Sequence, residues 1–137
     1  MDKALNYMAL ARKAGRIELG EEPVGAAARA QKARLVIVAS DASDHSWRRA
    51  RSYVANTEQL CIRVDFSKDQ LGQAIGRTDL AMAAFTDPAM ALAFVKALGD
   101  PQRFSAELES LSKRADRIRR HQAEEKAHRK NKRFGKK

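Results

Sequence analysis

The apolar run Leu35-Val36-Ile37-Val38-Ala39 constrains the fold more than any other stretch of this chain. Consecutive β-branched and large aliphatic residues suit a strand that is covered on both faces, as in the sheets of α/β proteins. Ser40, Asp41 and Ser43 follow at once, and their side-chain oxygens are suited to cap the free N–H groups of a following helix. The pattern therefore predicts a buried strand that leads into a helix, in an α/β protein.

Apolar periodicity and capping residues along the rest of the chain predict a regular alternation of helices and strands. Strands are predicted at about 17–19, 35–39, 60–64 and 80–85, and helices at about 3–14, 21–31, 43–56, 68–75 and 88–98. Asp2 and Asp87 are placed as N-caps, with Pro88 at the first helical position and Gly15 as a stop. Such alternation predicts a three-layer α/β/α sandwich with a small central mixed sheet.

The character of the chain changes after Gly99. Asp100-Pro101-Gln102 is typical of a short linker, and residues from about 105 to 130 carry a narrow apolar stripe among charges, which predicts a helix. The last eight residues have no apolar face to bury and are expected to be disordered in the free protein. We thus expect a globular domain at 1–98 and a basic helical extension with a disordered tail at 99–137.

The charge is concentrated in this extension. The chain holds 27 Lys and Arg against 17 Asp and Glu, a net charge of +10, of which +7 lies in residues 99–137. A basic tail attached to a globular domain with a small net charge is typical of a protein that binds a polyanion, most often nucleic acid. The alternative is a solubilising extension. The tail residues expected to contact nucleic acid are Arg129, Lys130, Lys132, Arg133, Lys136 and Lys137.

Catalytic constellations are absent from the sequence. His45, His121 and His128 are scattered, and Cys61 lies in a predicted strand, where a small buried side chain is expected. There is no phosphate-binding glycine loop. No stretch reaches the roughly 18 apolar residues of a membrane span, and the N-terminus does not resemble a signal peptide. We predict a cytoplasmic protein with no enzymatic activity, no cofactor, no metal and no membrane partner.

Three motifs in order carry a resemblance to a known family. They are Gly15…Leu19-Gly20-Glu21-Glu22-Pro23-Val24, the segment from Ala33 to Ala42, and Leu71-Gly72-Gln73-Ala74-Ile75-Gly76. With these motifs, residues from about 3 to 98 resemble the archaeal and eukaryotic kink-turn-binding ribosomal proteins, and in particular their bacterial YlxQ-like branch. The resemblance implies a small α/β/α sandwich that binds structured RNA, ribosomal or otherwise non-coding, and performs no chemistry.

The resemblance also implies where RNA is contacted: at the loop and start of the second helix, and at the loop before the last strand. In this chain these positions are Gly20, Glu21, Glu22, Pro23 and Ala26, followed by Arg77, Thr78, Asp79 and Leu80. Backbone N–H groups at a helix start can bind phosphates, and a glycine allows close approach. Further cations are expected to form a basic rim around this face: Arg12, Lys13, Arg16, Arg29, Lys32 and Arg77.

The chain departs from the kink-turn readers at several of these positions. Glu22-Pro23 stands where they have an Asn-Glu or Lys-Gln pair, Ala26 where they place a lysine, and the charged Arg77-Thr78-Asp79 where they have an apolar loop. These changes remove a base-edge donor and a phosphate partner, so RNA binding is predicted without strong kink-turn specificity. An alternative is a protein-interaction or assembly module on the same fold, whose tail supplies non-specific RNA affinity. A ribosomal or protein partner is left open, and a monomer is expected.

Overall fold

The computed structural model describes residues 2–133, with side chains as far as Arg129. Its strands are β1 (Ile17–Leu19), β2 (Leu35–Val38), β3 (Leu60–Arg63) and β4 (Met82–Phe85). Its helices are α1 (Lys3–Lys13), α2 (Glu21–Arg29), α3 (Asp44–Val54), α4 (Lys68–Ala74), α5 (Pro88–Ala97) and α6 (Ser105–Arg133). The predicted order of elements is confirmed throughout.

The four strands form one mixed sheet in the order β1-β4-β2-β3. β4 pairs antiparallel with both β1 and β2, while β2 and β3 are parallel. Every residue of β2 and β4 is buried, so both faces of the central strands are covered. β1, β2 and β3 therefore end at the same edge of the sheet, where β4 begins.

Helices cover the sheet on both sides. α2 and α3 pack on each other and on the strands, while α1, α4, α5 and α6 form a second group in which α5 contacts both α1 and α6. The core includes an aromatic contact between Phe85 of β4 and Phe94 of α5, whose ring centroids lie 5.1 Å apart. The predicted three-layer α/β/α sandwich with a mixed sheet is confirmed.

Most helix starts follow the predicted capping chemistry. The side chains of Asp2, Ser43 and Asp87 each accept a hydrogen bond from a backbone N–H in the first turn of α1, α3 and α5. Asp41 differs, since its carboxylate accepts from the N–H of Lys68 at 2.8 Å and so holds the start of α4 instead of α3. α2 ends earlier than predicted because Gln31 adopts a left-handed conformation, with φ of 59°.

The first residues of the C-terminal extension pack against the globular domain. Phe104 and Leu111 are buried in the hydrophobic core, and Ala115 is also buried, so the first turns of α6 pack on α5. From residue 119 to residue 129 every side chain is exposed. The helix continues to Arg133, so residues 130–133 are helical where the sequence predicted a disordered end, while residues 134–137 lie outside the described part of the chain.

A close backbone contact fixes the loop between α4 and β4. A Cβ atom added to Gly72 would lie 2.6 Å from the Cα atom of Asp79, closer than carbon atoms can pack. The N–H of Arg77 donates to the carbonyl of Gly72 at 2.8 Å, and the N–H of Leu80 donates to the carbonyl of Lys68 at 3.0 Å. The loop is thus held against α4 by contacts that only glycine at position 72 permits.

The substitution Gly72→Ala should therefore destabilise the protein although alanine favours helices. The added methyl group meets backbone atoms that cannot rotate away, and overpacking of this kind costs about 1–3 kcal/mol. Denaturant unfolding measures the effect, with Gln73→Ala on the exposed face of the same helix as the control. A Gly72→Ala variant that is more stable than the parent chain, as helix propensity alone would give, contradicts this packing.

Candidate nucleic-acid interface

Gly20 connects the end of β1 to the start of α2. Its N–H donates to the carbonyl of Met82 at 3.0 Å, which extends the pairing of β1 with β4 by one residue. Its φ of 96° is in the region that favours glycine, and it caps α2 without a side-chain hydrogen bond. At the start of α2 the backbone N–H groups of Glu21 and Glu22 therefore lack an intrahelical partner, whereas Pro23 has no N–H and the N–H of Val24 donates to the carbonyl of Gly20 at 3.0 Å.

The loop between α4 and β4 lies beside this turn. A Cβ atom on Gly20 would stand 3.9 Å from Nη1 of Arg77, and one on Gly76 would stand 3.3 Å from Nη1 of Arg12. The structure thus brings together two of the predicted segments and one residue of the predicted rim. We call this surface the loop face, defined as Arg12, Gly20–Pro23 and Arg77–Asp79.

Within the α4–β4 loop the four predicted residues differ in exposure. Arg77, Thr78 and Asp79 are exposed, whereas Leu80 is buried at 3 % exposure and belongs to the core. Only the first three side chains of this loop are accessible to a ligand. The role of Leu80 is to anchor the loop under them.

The two carboxylates at the start of α2 have different surroundings. Nε of Arg49 lies 2.5 Å from Oε1 of Glu21 and also donates to the hydroxyl of Tyr53 at 3.2 Å. The hydrogen bond to Tyr53, and next the Glu21 charge, raise the pKa of Arg49. Glu22 is exposed. One of the two acidic groups at the start of α2 is therefore paired with α3, which leaves Glu22 and, on the neighbouring loop, Asp79 as the repulsive charges of the loop face.

Sequence reasoning missed Arg49. Arg49 is one of three arginines in α3, with Arg48 and Arg51, and its pairing with Glu21 depends on how α2 packs against α3. No local pattern specifies that contact.

The remaining rim residues do not form one patch with the loop face. Ala26, one turn after Glu22 on α2, is exposed and borders the loop face, whereas Arg29 lies a further turn along the helix, with its Nη1 atom 3.3 Å from the place where a Cβ atom of Gly25 would stand. Arg16 precedes β1 and Lys32 follows α2, so both lie toward the opposite end of the sheet from Gly20. The predicted rim is thus divided between the two ends of the sheet.

The predicted tail residues belong to the far end of α6. Arg129 is exposed there, and Lys130, Lys132 and Arg133 lie in the helix. Lys136 and Lys137 fall outside the described residues. At 1.5 Å per residue, α6 extends about 44 Å. Its second half is charged and projects from the globular body, since the side chains from 119 to 129 are exposed.

Trp47 packs against the hydrophobic core. Its ring is half-buried against the core, with the guanidinium carbons of Arg51 and Arg63 at 5.7 and 5.3 Å from the ring centroid.

Cys61 is partly buried, and burial raises its pKa to about 12, so the thiol stays protonated at neutral pH.

Within residues 2–133 no group of three or more His, Cys, Asp or Glu side chains is placed to hold a metal ion. None of the helices over the same residues combines the length and the apolar character that crossing a bilayer requires.

Comparisons with known proteins agree with this architecture. The chain is 36% identical over 75 residues to the RNA-binding protein YlxQ of Enterococcus faecium, an alignment that spans 55% of this chain and 72% of the relative. A Bacillus halodurans protein of unknown function superimposes with a TM-score of 0.66 at 24% identity, over 72% of this chain and 99% of the other. The Giardia lamblia 15.5kD RNA binding protein gives 0.57 at 19% identity, over 80% and 87%.

A family model matches residues 2–93, which include all four strands and every residue of the loop face. On this match, the chain belongs to the ribosomal protein L7Ae/L30e/S12e/Gadd45 family.

Proposed function

We propose that this protein binds structured RNA through the loop face. The observation that carries the proposal is the placement of Arg77 beside Gly20, which unites a helix start with a guanidinium on one exposed surface. The two N–H groups of Glu21 and Glu22, which have no intrahelical partner, favour a phosphate or a base edge at the start of α2. The missing side chain at Gly20 lets an RNA strand approach the backbone, while Arg12 and Arg77 offer planar donor pairs to phosphate oxygens.

The relatives support RNA as the ligand. The Enterococcus faecium relative is named an RNA-binding protein, and so is the Giardia lamblia protein that shares the fold. The chain covers 72% of the first and 87% of the second, so the comparison concerns most of each protein. We infer by analogy that the shared sandwich binds RNA here, as a monomeric binding protein of the cytoplasm and not as an enzyme.

The chemistry of the loop face argues for ribosomal or other structured RNA without a strong kink-turn preference. Glu22 is exposed in the first turn of α2 and repels phosphate, and Ala26 offers no cation one turn later. Asp79 adds a second exposed carboxylate on the neighbouring loop. Binding therefore depends on Arg12, Arg77 and backbone groups.

The projecting half of α6 supplies affinity of a different kind. Residues 121–137 hold seven Lys and Arg against two Glu, and the side chains from 121 to 129 are all exposed. Contacts of such a segment with phosphates are independent of sequence and weaken steeply with salt. In this proposal the loop face selects the RNA and the extension strengthens the complex.

Replacing Arg12 and Arg77 together by glutamine should weaken binding to RNA recovered by crosslinking from cells. Charge-assisted hydrogen bonds contribute about 1.5–3 kcal/mol each, and about 1.4 kcal/mol corresponds to tenfold in affinity. We thus expect at least a tenfold loss for the pair in an equilibrium binding assay. The matched control removes two charges elsewhere, with Lys3→Gln and Lys96→Gln on exposed positions of α1 and α5. An equal loss in both variants would mean that only net charge matters.

The pair Glu22→Asn and Ala26→Lys should restore kink-turn binding. The change removes the repulsive carboxylate and adds a phosphate partner, and about tenfold tighter binding follows from one gained charge-assisted contact. The assay compares an RNA duplex that contains a kink-turn with the same duplex without it. Glu109→Asn with Ala89→Lys makes the same charge change away from the loop face. A gain no larger than that of the control would show that this surface serves another ligand, such as a protein.

A further inference from the structure

A second concave site lies at the opposite end of the sheet from the loop face. It is a cavity of about 330 Å³ at the amino ends of β2 and β3, next to the start of α5 and one face of α6. The residues that matter for its chemistry are Arg34, Glu58, Gln59, Pro88, Arg114 and Arg117. Arg114 and Arg117 lie outside residues 2–93, so the cavity is completed by a part of the chain that the family model does not match.

A buried glutamine builds the wall of this cavity. Oε1 of Gln59 accepts from the N–H of Ala33 at 2.9 Å, and Nε2 of Gln59 donates to the carbonyl of Ala28 at 3.1 Å. These bonds hold the segment before β2 against the segment before β3. On the other side, Arg114 of α6 donates to the backbone carbonyl of Glu58. These hydrogen bonds connect the three chain segments that line the cavity: the residues before β2, the residues before β3, and α6.

The cavity collects positive charge that the described chain does not neutralise. Three guanidinium groups face one carboxylate, that of the exposed residue Glu58. Nε of Arg34 is buried and has no hydrogen-bond acceptor among the residues that the structure describes. A buried charged donor without an acceptor is unfavourable, and an anion bound in the cavity would supply that acceptor.

The pKa of Arg114 is lowered, which agrees with this concentration of positive charge in the cavity. Burial is the main cause that lowers the pKa of Arg114; the nearby Glu58 charge opposes this, while Arg34 and Arg117 lower it further. Arg34 and Arg117 are therefore each close enough to Arg114 to repel its charge. Like charges held together in this way are relieved when a phosphate binds between them.

We propose that this cavity is a second RNA-binding site, in which Arg34, Arg114 and Arg117 receive a backbone phosphate. A polyanion is favoured over an isolated phosphate because the basic surface continues along α6, where Lys113 and Arg120 line an adjoining depression together with Asp116 and Arg117. The inference rests on RNA being the ligand of the protein, but not on the loop face being its site. With both sites occupied, the protein connects two RNA segments across the length of the sheet.

The test compares the full chain with Arg34→Gln plus Arg117→Gln, binding a short uridine oligonucleotide over a series of salt concentrations. Each lost single-strand phosphate contact reduces the slope of log K against log salt by about 0.7, so loss of the one phosphate bound in the cavity should reduce the slope by about that amount. The Lys3→Gln and Lys96→Gln variant is the charge-matched control, and Arg12→Gln plus Arg77→Gln reports on the loop face separately. Thermal unfolding of each variant with inorganic phosphate measures the binding of the free anion.

The proposal predicts a smaller salt slope for the cavity variant than for the control, whatever the loop-face variant does. If only the loop-face variant loses affinity, the cavity is not an RNA site. If inorganic phosphate stabilises the parent chain but not the cavity variant, while the salt slopes are equal, the cavity takes a free phosphate and the RNA assignment is overturned. A loss in the cavity variant alone would support this inference and would leave the loop face, which is proposed to bind structured RNA, to its own test with crosslinked RNA.

Discussion

The pairing of β2 with β4 is the contact on which the rest of the structure depends. Both strands are buried on both faces, and their antiparallel register sets Val38 opposite Met82 and Leu35 opposite Phe85. One end of this pair carries the turn at Gly20 and the loop at Arg77, and the other carries Arg34. Apolar burial of the central strands, which contributes about 25 cal/mol per Å², therefore holds two polar surfaces at fixed separation.

Much of the fold could be predicted because its signals are local. The bounds of β1 were predicted to the residue, and the Asp87-Pro88 start of α5 follows directly from capping chemistry. The ends of α2 and α3 were misplaced by two residues, since Gln31 and Asn56 turn into the left-handed region without a glycine to mark the stop. The helical state of residues 130–133 was also missed, because a polar helix has no apolar period to reveal it.

The candidate sites were less predictable because they depend on contacts between distant segments. The resemblance to known RNA binders indicated Gly20 and Arg77, but not that the rim around them is split between two ends of the sheet. The ion pair of Glu21 with Arg49 joins two helices, and the cavity at Arg34 requires α6 to cross near β3. Charge patterns in a sequence show how much basic surface exists, whereas packing decides where it converges.

The most direct test of the account is RNA–protein crosslinking in cells, with the crosslinked peptides identified by mass spectrometry. The full chain is compared with a chain that ends at Arg120, which keeps the buried Leu111 and Ala115 and removes most of the projecting basic half of α6. Crosslinks within Gly20–Pro23 and Arg77–Asp79 that persist in the shorter chain, on a discrete set of RNAs, are the predicted result. Crosslinks confined to α6 that disappear with the truncation would contradict it.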